Sequence, residues 1–342
     1  MRPPLQCATI AGLGMYVPEK VLTNEDLARL VDTSDEWIVQ RTGIRERRLC
    51  ADHEATSDLA VNAAQEALAV AGLDPAQLDV ILVATCTPDM PSFPATAMLV
   101  QERLGAPRAA AFDISVACAG FAYGLDLGAQ FIETGRAKNV LVIGAEAMSR
   151  IVNWQDRTTC ILFGDGAGAV VLQPGLEGEG LLGSHLGADG AGACLLNIPA
   201  GGSRLPLTDE LLAERQNTLT MRGKEVFRFG VEVMGESAAA VIEKVGLTPD
   251  AIDLLIPHQA NVRIIAAAAR RLGLTDAEGG LSPKVFVNVE RYGNTSAASV
   301  PIALVEAWRQ GRIPPGNLVV TIGFGAGLAW GANVIRWGAL RP

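Results

Sequence analysis

Apolar and polar positions alternate along the chain in two rhythms. Five short apolar runs bounded by Gly, Pro or Asp, at Val80–Ala84, Val140–Ile143, Ala169–Leu172, Leu254–Ile256 and Leu318–Ile322, read as buried strands. Between them the apolar positions take a helical period over Ser57–Val70, Cys118–Thr134, Lys224–Val245, Val262–Leu272 and Ala297–Arg309. These stretches predict helices, the first with Ser57 as its N-cap. Continuous apolar strands alternating with helices imply an α/β protein whose sheets are covered on both faces. The Gly-rich, polar stretch from about 175 to 223 lacks periodicity and is expected to be an inserted loop region over an active site.

The pattern occurs twice. GLDPAQLDVILVA at 72–84 matches GLTPDAIDLLIPH at 246–258 at an offset of 174, and Gly135-Arg136 matches Gly311-Arg312 at an offset of 176. The expected organisation is two duplicated halves, 1–174 and 224–342, with 175–223 between them. The local offset of 176 carries Cys118 onto Asn294, so the two helix starts should meet where the halves pack.

Composition narrows the class. The 342 residues are 49% hydrophobic and 19% charged, which suits a packed globular chain and excludes disorder. A net charge of −9 argues against non-specific nucleic-acid or membrane binding unless a local basic patch intervenes. Six scattered cysteines without a Cys-x-x-Cys pair, and three histidines, give neither a disulfide framework nor a zinc cluster. Met1-Arg2-Pro3-Pro4 does not open a signal peptide, and no long uninterrupted apolar run follows. The expectation is a cytoplasmic protein with reduced thiols.

Three residues are candidates for chemistry. Cys118, in FDISVACAGFAYGL, follows an apolar strand at the start of a predicted helix, where the dipole favours a thiolate; a free Cys is also commonly just a small buried hydrophobe. His258, in LLIPHQAN, stands at a strand tip, where side chains of an open α/β sheet reach a crevice, although a lone histidine is often structural. Asn294, in GNTSAAS, is an N-cap in isolation and gains interest from its register with Cys118. The glycine runs FGDGAGAVVL and GFGAGLAWGA lack the Lys-Ser/Thr ending of a phosphate loop and lead into strands. The second run is better suited to lining an oxyanion site with backbone N–H groups.

Together ACAGF, PHQAN and GNTSAAS, with DTSDEWIVQRTGIRER, DRTTCILFGDGAGAVVL and HLGADG, make the chain resemble the β-ketoacyl-[acyl carrier protein] synthase III family from about Ile10 to Trp337. The resemblance implies a thiolase-like, five-layer αβαβα fold and a homodimer. It implies acyl transfer from acyl-CoA, acetyl-CoA being the expected primer, to Cys118, then decarboxylative Claisen condensation with malonyl-acyl carrier protein to initiate fatty acid synthesis. No cofactor or metal is called for.

By the same resemblance, Cys118, His258 and Asn294 are the catalytic set, and the backbone N–H groups of Cys118 and Ala326 form the oxyanion hole; many members have Gly at the latter position. Trp37 and Arg157 would sandwich the adenine of coenzyme A, with Arg41 near its phosphate and Gly223 and Asn261 along the pantetheine tunnel. Phe93 would close the partner's acyl pocket. Arg263, Arg270 and Arg271, spaced to share a helix face, with Arg228, supply the basic patch for an acidic carrier protein. The alternative is a same-fold starter-unit condensing enzyme or acyltransferase of polyketide or other secondary metabolism. A hydrolase or a non-catalytic acyl-binding protein would differ in giving no condensed product or no acyl-Cys118.

Overall fold

The computed structural model describes residues 7–340, so the expectation made on Met1–Pro4 lies outside the described residues. Nine strands build two sheets: β1 (Cys7–Tyr16), β2 (Val80–Ala84), β3 (Ala110–Ile114), β4 (Val140–Glu146), β5 (Gly166–Gly175), β6 (Gly180–Ala188), β7 (Leu254–Pro257), β8 (Leu318–Gly325) and β9 (Ala329–Arg336). Seven longer helices accompany them: α1 (Asp35–Thr42), α2 (Thr56–Ala71), α3 (Thr96–Leu104), α4 (Gly120–Glu133), α5 (Gly223–Lys244), α6 (Val262–Arg271) and α7 (Ser299–Arg309).

The first sheet runs β1-β5-β4-β2-β3, with β4, β2 and β3 parallel and β5 antiparallel to both β4 and β1. The second runs β6-β9-β8-β7, with β7 and β8 parallel and the other neighbours antiparallel. The two orders superpose strand for strand, except that the counterpart of β3 is reduced to a bridge between Leu255 and Val285. Helices α4 and α7 lie between the sheets. Phe121, Leu125 and Ala129 from one, and Val300, Ala303 and Leu304 from the other, share a core with Leu82 and Val142 of the first sheet and Ile256 and Val319 of the second. Helices α2 and α3 cover the outer face of the first sheet, and α5 and α6 that of the second. Five layers result, as the duplicated pattern implies, because each sheet is apolar on both faces and must be covered twice.

Three expectations change. The segment 175–223 is not simply an inserted loop: its Gly180–Ala188 part is β6, paired along β9 and equivalent to β1. Its Gly, Ser and His content hides the strand, because a glycine-rich edge strand shows no apolar run. Helix α2 begins at Thr56, not after a Ser57 cap. Asp58 accepts from the N–H of Ala55 at 2.7 Å, and Ser57 Oγ donates instead to Asp89 at 2.7 Å.

The register of the repeat also drifts. Gly72 and Gly246, both left-handed, keep the offset of 174, and Gly135 and Gly311 keep 176. The helix starts, however, align at 179: Ala117 (φ 42°) and Ser296 (φ 49°) each open a 3-10 turn that feeds α4 and α7. Cys118 is therefore the structural equivalent of Ala297, not of Asn294. The two turns do meet at the interface of the halves, and Asn294 lies just upstream of its turn.

Candidate active site

Cys118 sits in the 3-10 turn Ala117–Ala119 that precedes α4, one step earlier than a helix beginning at Cys118 would place it. The turn is tightly crowded. Ala117 takes a left-handed backbone, which costs an L-residue about 1 kcal/mol, and β8 runs directly beneath. A Cβ on Gly325 would lie 2.9 Å from both Cβ and N of Cys118 and 3.1 Å from its Sγ, so only glycine admits the thiol here. The Sγ is 3.3 Å from Ser296 Oγ at the head of the opposing turn. Burial pushes the thiol up to about 12, opposed by the Ser296 contact and reinforced by the Glu146 carboxyl. The dipole argument from the sequence does not prevail, since desolvation of a thiolate in a closed apolar site outweighs a partial charge at one helix end.

His258 follows β7 and extends its ladder, donating its N–H to Ile322 O at 2.7 Å. Its ring packs edge-to-face on Phe324 at 5.6 Å, and Nδ1 lies 2.5 Å from Ser299 Oγ. Complete burial lowers the imidazole to about 3, so it is neutral at any physiological pH. Asn294 is held by its backbone on both sides, its N–H on Leu162 O at 2.8 Å and its carbonyl accepting from Gly164 at 3.1 Å. Its Oδ1 accepts from the N–H of Ser296 at 2.8 Å, an Asx turn that fixes the side-chain oxygen and leaves the amide NH2 as the available donor.

Two cavities meet at Cys118. One, of about 100 Å³, is walled by Cys118, His258, Asn294 and Phe324 and runs outward past Gly223 and Asn261. The other, of about 240 Å³, is apolar; Met148, Ile151, Leu196, Ile198 and Leu219 line it, and it reaches Ala326 and Ser296 beside the thiol. Three sequence candidates from separate segments thus share one wall, and Ala326 adjoins the nucleophile in the second cavity.

The sequence reading missed the buried polar floor. Glu146, at the end of β4, accepts from Thr87 Oγ1 at 2.7 Å, Cys86 N at 3.0 Å and Thr85 Oγ1 at 3.1 Å, and burial raises its pKa. A lone carboxylate closing the otherwise apolar run VLVIGAE was its only signal. Ser296 and Ser299 lay inside a recognised motif but were not separated from Asn294.

At the outer end, the Arg41 and Arg157 guanidinium groups lie 4.6 and 5.2 Å from the Trp37 ring centre, so all three are together. Arg157 is tethered to Asp32, donating to its carbonyl at 2.7 Å. Asn261 caps α6, its Oδ1 accepting from Arg263 N at 2.8 Å, while its amide donates to Arg41 O at 3.0 Å. That amide ties the Arg41 segment to the cavity mouth. Gly223 opens α5 on the same rim. Phe93 is 86% exposed and lines neither cavity of its own chain.

The basic patch is smaller than its spacing implied. Arg263 and Arg270 flank a groove floored by Phe227, Val231 and Ala267, and Arg263 stacks over Phe227 at 5.1 Å. Arg271 turns away across α5 and pairs with Glu236 at 3.0 Å, because eight residues on a helix rotate it by about 80° from Arg263. Arg228 is exposed on α5 outside the groove.

Comparison with known proteins finds relatives over nearly the whole chain. The family described as 3-oxoacyl-[acyl-carrier-protein (ACP)] synthase III matches residues 112–190, and its C-terminal part matches residues 242–337. β-Ketoacyl-[acyl-carrier-protein] synthase III of Symbiobacterium thermophilum is 60% identical, the match covering 96% of this chain and 98% of that protein. Its namesake from Caldanaerobacter subterraneus is 57% identical over 96% and 98%. The crystal structure of 3-oxoacyl-[acyl-carrier-protein] synthase III from Aquifex aeolicus, 47% identical, superposes with a TM-score of 0.87 over 96% of this chain and all of that one. The thiolase-like fold follows, and the chain belongs to the β-ketoacyl-[acyl-carrier-protein] synthase III family of condensing acyltransferases.

Proposed function

We propose that the chain condenses an acyl group carried on Cys118 with malonyl-acyl carrier protein, the initiating step of fatty acid synthesis. The observation that carries this assignment of roles is the convergence of Cys118, His258 and Asn294 on one cavity wall. In the first half-reaction the Cys118 sulfur attacks the thioester carbonyl, the bond to the coenzyme A sulfur breaks, and the proton lost by one sulfur is matched by that gained by the other. Sulfur suits the task because its product is again a reactive thioester. The charge on the acyl oxygen is met by the backbone N–H groups of Cys118 and Ala326.

In the second half-reaction the malonyl carboxylate leaves as CO2 and its electron pair forms an enolate. The enolate oxygen takes hydrogen bonds from the His258 imidazole and the Asn294 amide, both neutral. The carbon then attacks the acyl carbonyl, the bond from that carbonyl to the Cys118 sulfur breaks, and a proton from solvent restores the thiol. Trp37, with Arg157 and Arg41, receives the nucleotide end of coenzyme A. A base inserted between ring and guanidinium needs planes about 7 Å apart, so Arg157 moves outward as it enters. Arg263 and Arg270, with Arg228, face the acidic carrier.

A homodimer fits the open edge of the first sheet: among the described residues β3 has a strand partner on one side only, and α3, which carries exposed Met98, packs beside it. Among the described residues no helix is long and apolar enough to cross a membrane, and we place the activity in the cytoplasm.

The test is incubation with a panel of acyl-CoAs and location of the added mass. The expected result is acylation of Cys118 and release of a 3-ketoacyl product once malonyl-carrier protein is added. Acylation of Cys118→Ala at the wild-type rate would overturn the assignment.

A further inference from the structure

The hydrogen bond behind His258 can be polarised in two ways, and burial decides between them. Ser299 is 2% exposed at the start of α7; its Oγ lies 2.5 Å from His258 Nδ1 and 3.4 Å from the backbone N of Gln259. If Nδ1 carried the ring proton, Ser299 would accept from both nitrogens, and its own hydrogen would point at no acceptor. A buried donor left unsatisfied costs about 1–3 kcal/mol. If Ser299 donates to Nδ1 while accepting from Gln259, the hydroxyl, Nδ1 and the Gln259 N–H are all satisfied, and the ring proton resides on Nε2 of a residue that lines the reaction cavity. The Phe324 edge contact holds the ring in this orientation.

We infer that Ser299 is a positioning residue that holds His258 as its Nε2–H tautomer, so that the imidazole enters the condensation as a hydrogen-bond donor and not as a base; this rests on the reading of the site proposed above. The consequence falls on one half-reaction. As the bond between the malonyl α-carbon and its carboxylate breaks, the electron pair moves into the enolate and CO2 departs. The growing negative charge on the thioester oxygen meets Nε2–H, and no proton transfers to or from the ring. The opposite tautomer would present a lone pair to that oxygen and repel it. Acyl transfer to Cys118, whose oxyanion is met by backbone donors, does not depend on the tautomer.

The experiment uses the full chain labelled with 15N-histidine. With three histidines in the sequence, the His258 signals are identified by their loss in His258→Gln. The wild type is expected to show a protonated Nε2 and a bare Nδ1. Ser299→Ala is expected to lose that preference and to slow condensation by about 10- to 100-fold, by analogy with the loss when the partner behind a metal-ligating histidine is removed. The KM for acyl-CoA and the extent of Cys118 acylation should not change, and Ser299→Thr, which keeps the hydroxyl, should restore the rate. An Nδ1–H tautomer in the wild type would overturn the inference, as would wild-type condensation by Ser299→Ala, or an acylation loss parallel to the condensation loss. Failure of the wild type to acylate Cys118 would overturn the reading of the site instead, and the tautomer, measured without substrate, would still decide the role of Ser299.

Discussion

Acidification should destabilise this protein through one histidine. The ordinary imidazole value of 6.5 applies to His258 in the unfolded chain, whereas burial lowers it to about 3 in the folded protein. A depressed folded value means that the unfolded state binds the proton first. The contribution is fully present above pH 6.5, is lost as pH falls below it, and levels off near pH 3. At pH 5 the unfolded imidazole is protonated roughly 30 to 1 and the folded one is still neutral, which stabilises the unfolded state by about 2 kcal/mol relative to pH 8. Urea unfolding of wild type and His258→Gln at the two pH values isolates this contribution. Glu146 and Asp165, whose raised pKa values act in the opposite sense, are common to both proteins. The wild type should lose about 2 kcal/mol more than the variant between pH 8 and pH 5. Equal losses, or a folded-state His258 ring that titrates near pH 6.5, would refute the reasoning.

Other consequences are equally direct. Gly325→Ala places a Cβ within 2.9 Å of the Cys118 backbone and side chain; the variant should fold yet acylate Cys118 far more slowly, read by mass spectrometry after timed exposure to acyl-CoA. Trp37→Ala removes a stacking face worth about 1–3 kcal/mol. Its KM for acyl-CoA should rise about tenfold or more while kcat holds, and an unchanged KM would remove Trp37 from the binding site. Glu306 accepts from Asn288 Nδ2 at 2.8 Å, from both terminal nitrogens of Arg291 at 2.7 and 2.9 Å, and from Tyr292 OH at 2.6 Å. Glu306→Ala leaves buried Asn288 and Tyr292 without their acceptor, while Arg291, 42% exposed and beside Glu290 at 3.4 Å, turns to solvent; the loss should be about 1–3 kcal/mol, measured as a lowered denaturation midpoint.

How much of this was legible in the sequence follows from where the information resides. Layering was legible because a strand apolar at every position, such as Val80–Ala84, can be satisfied only by cover on both faces. The strand Gly180–Ala188 was not legible, because its partner β9 supplies the register that its own glycines do not. The repeat located the junction of the halves but misaligned its centre. Offsets of 174 and 176, taken from capping glycines, had to become 179 at the turns: Gly246 to Ser296 spans five positions more than Gly72 to Ala117, and the helix that follows is three residues shorter in the second half. Symmetry therefore does not make Asn294 a counterpart of Cys118. In the structure Ala297 takes the place of the thiol, and the asparagine reaches the cavity from the extra length, held by its Asx turn to Ser296. Duplication supplied two left-handed turns facing each other, and the departure from duplication supplied the amide beside the nucleophile. The state of the thiol was the least legible feature: a helix start favours its anion, but only the assembled site, with Glu146 beneath and apolar walls around, shows that desolvation prevails. With burial holding both the thiol and the imidazole neutral, the site has no standing ion pair, so the proton of Cys118 must leave within the acylation step itself, as the thioester is attacked.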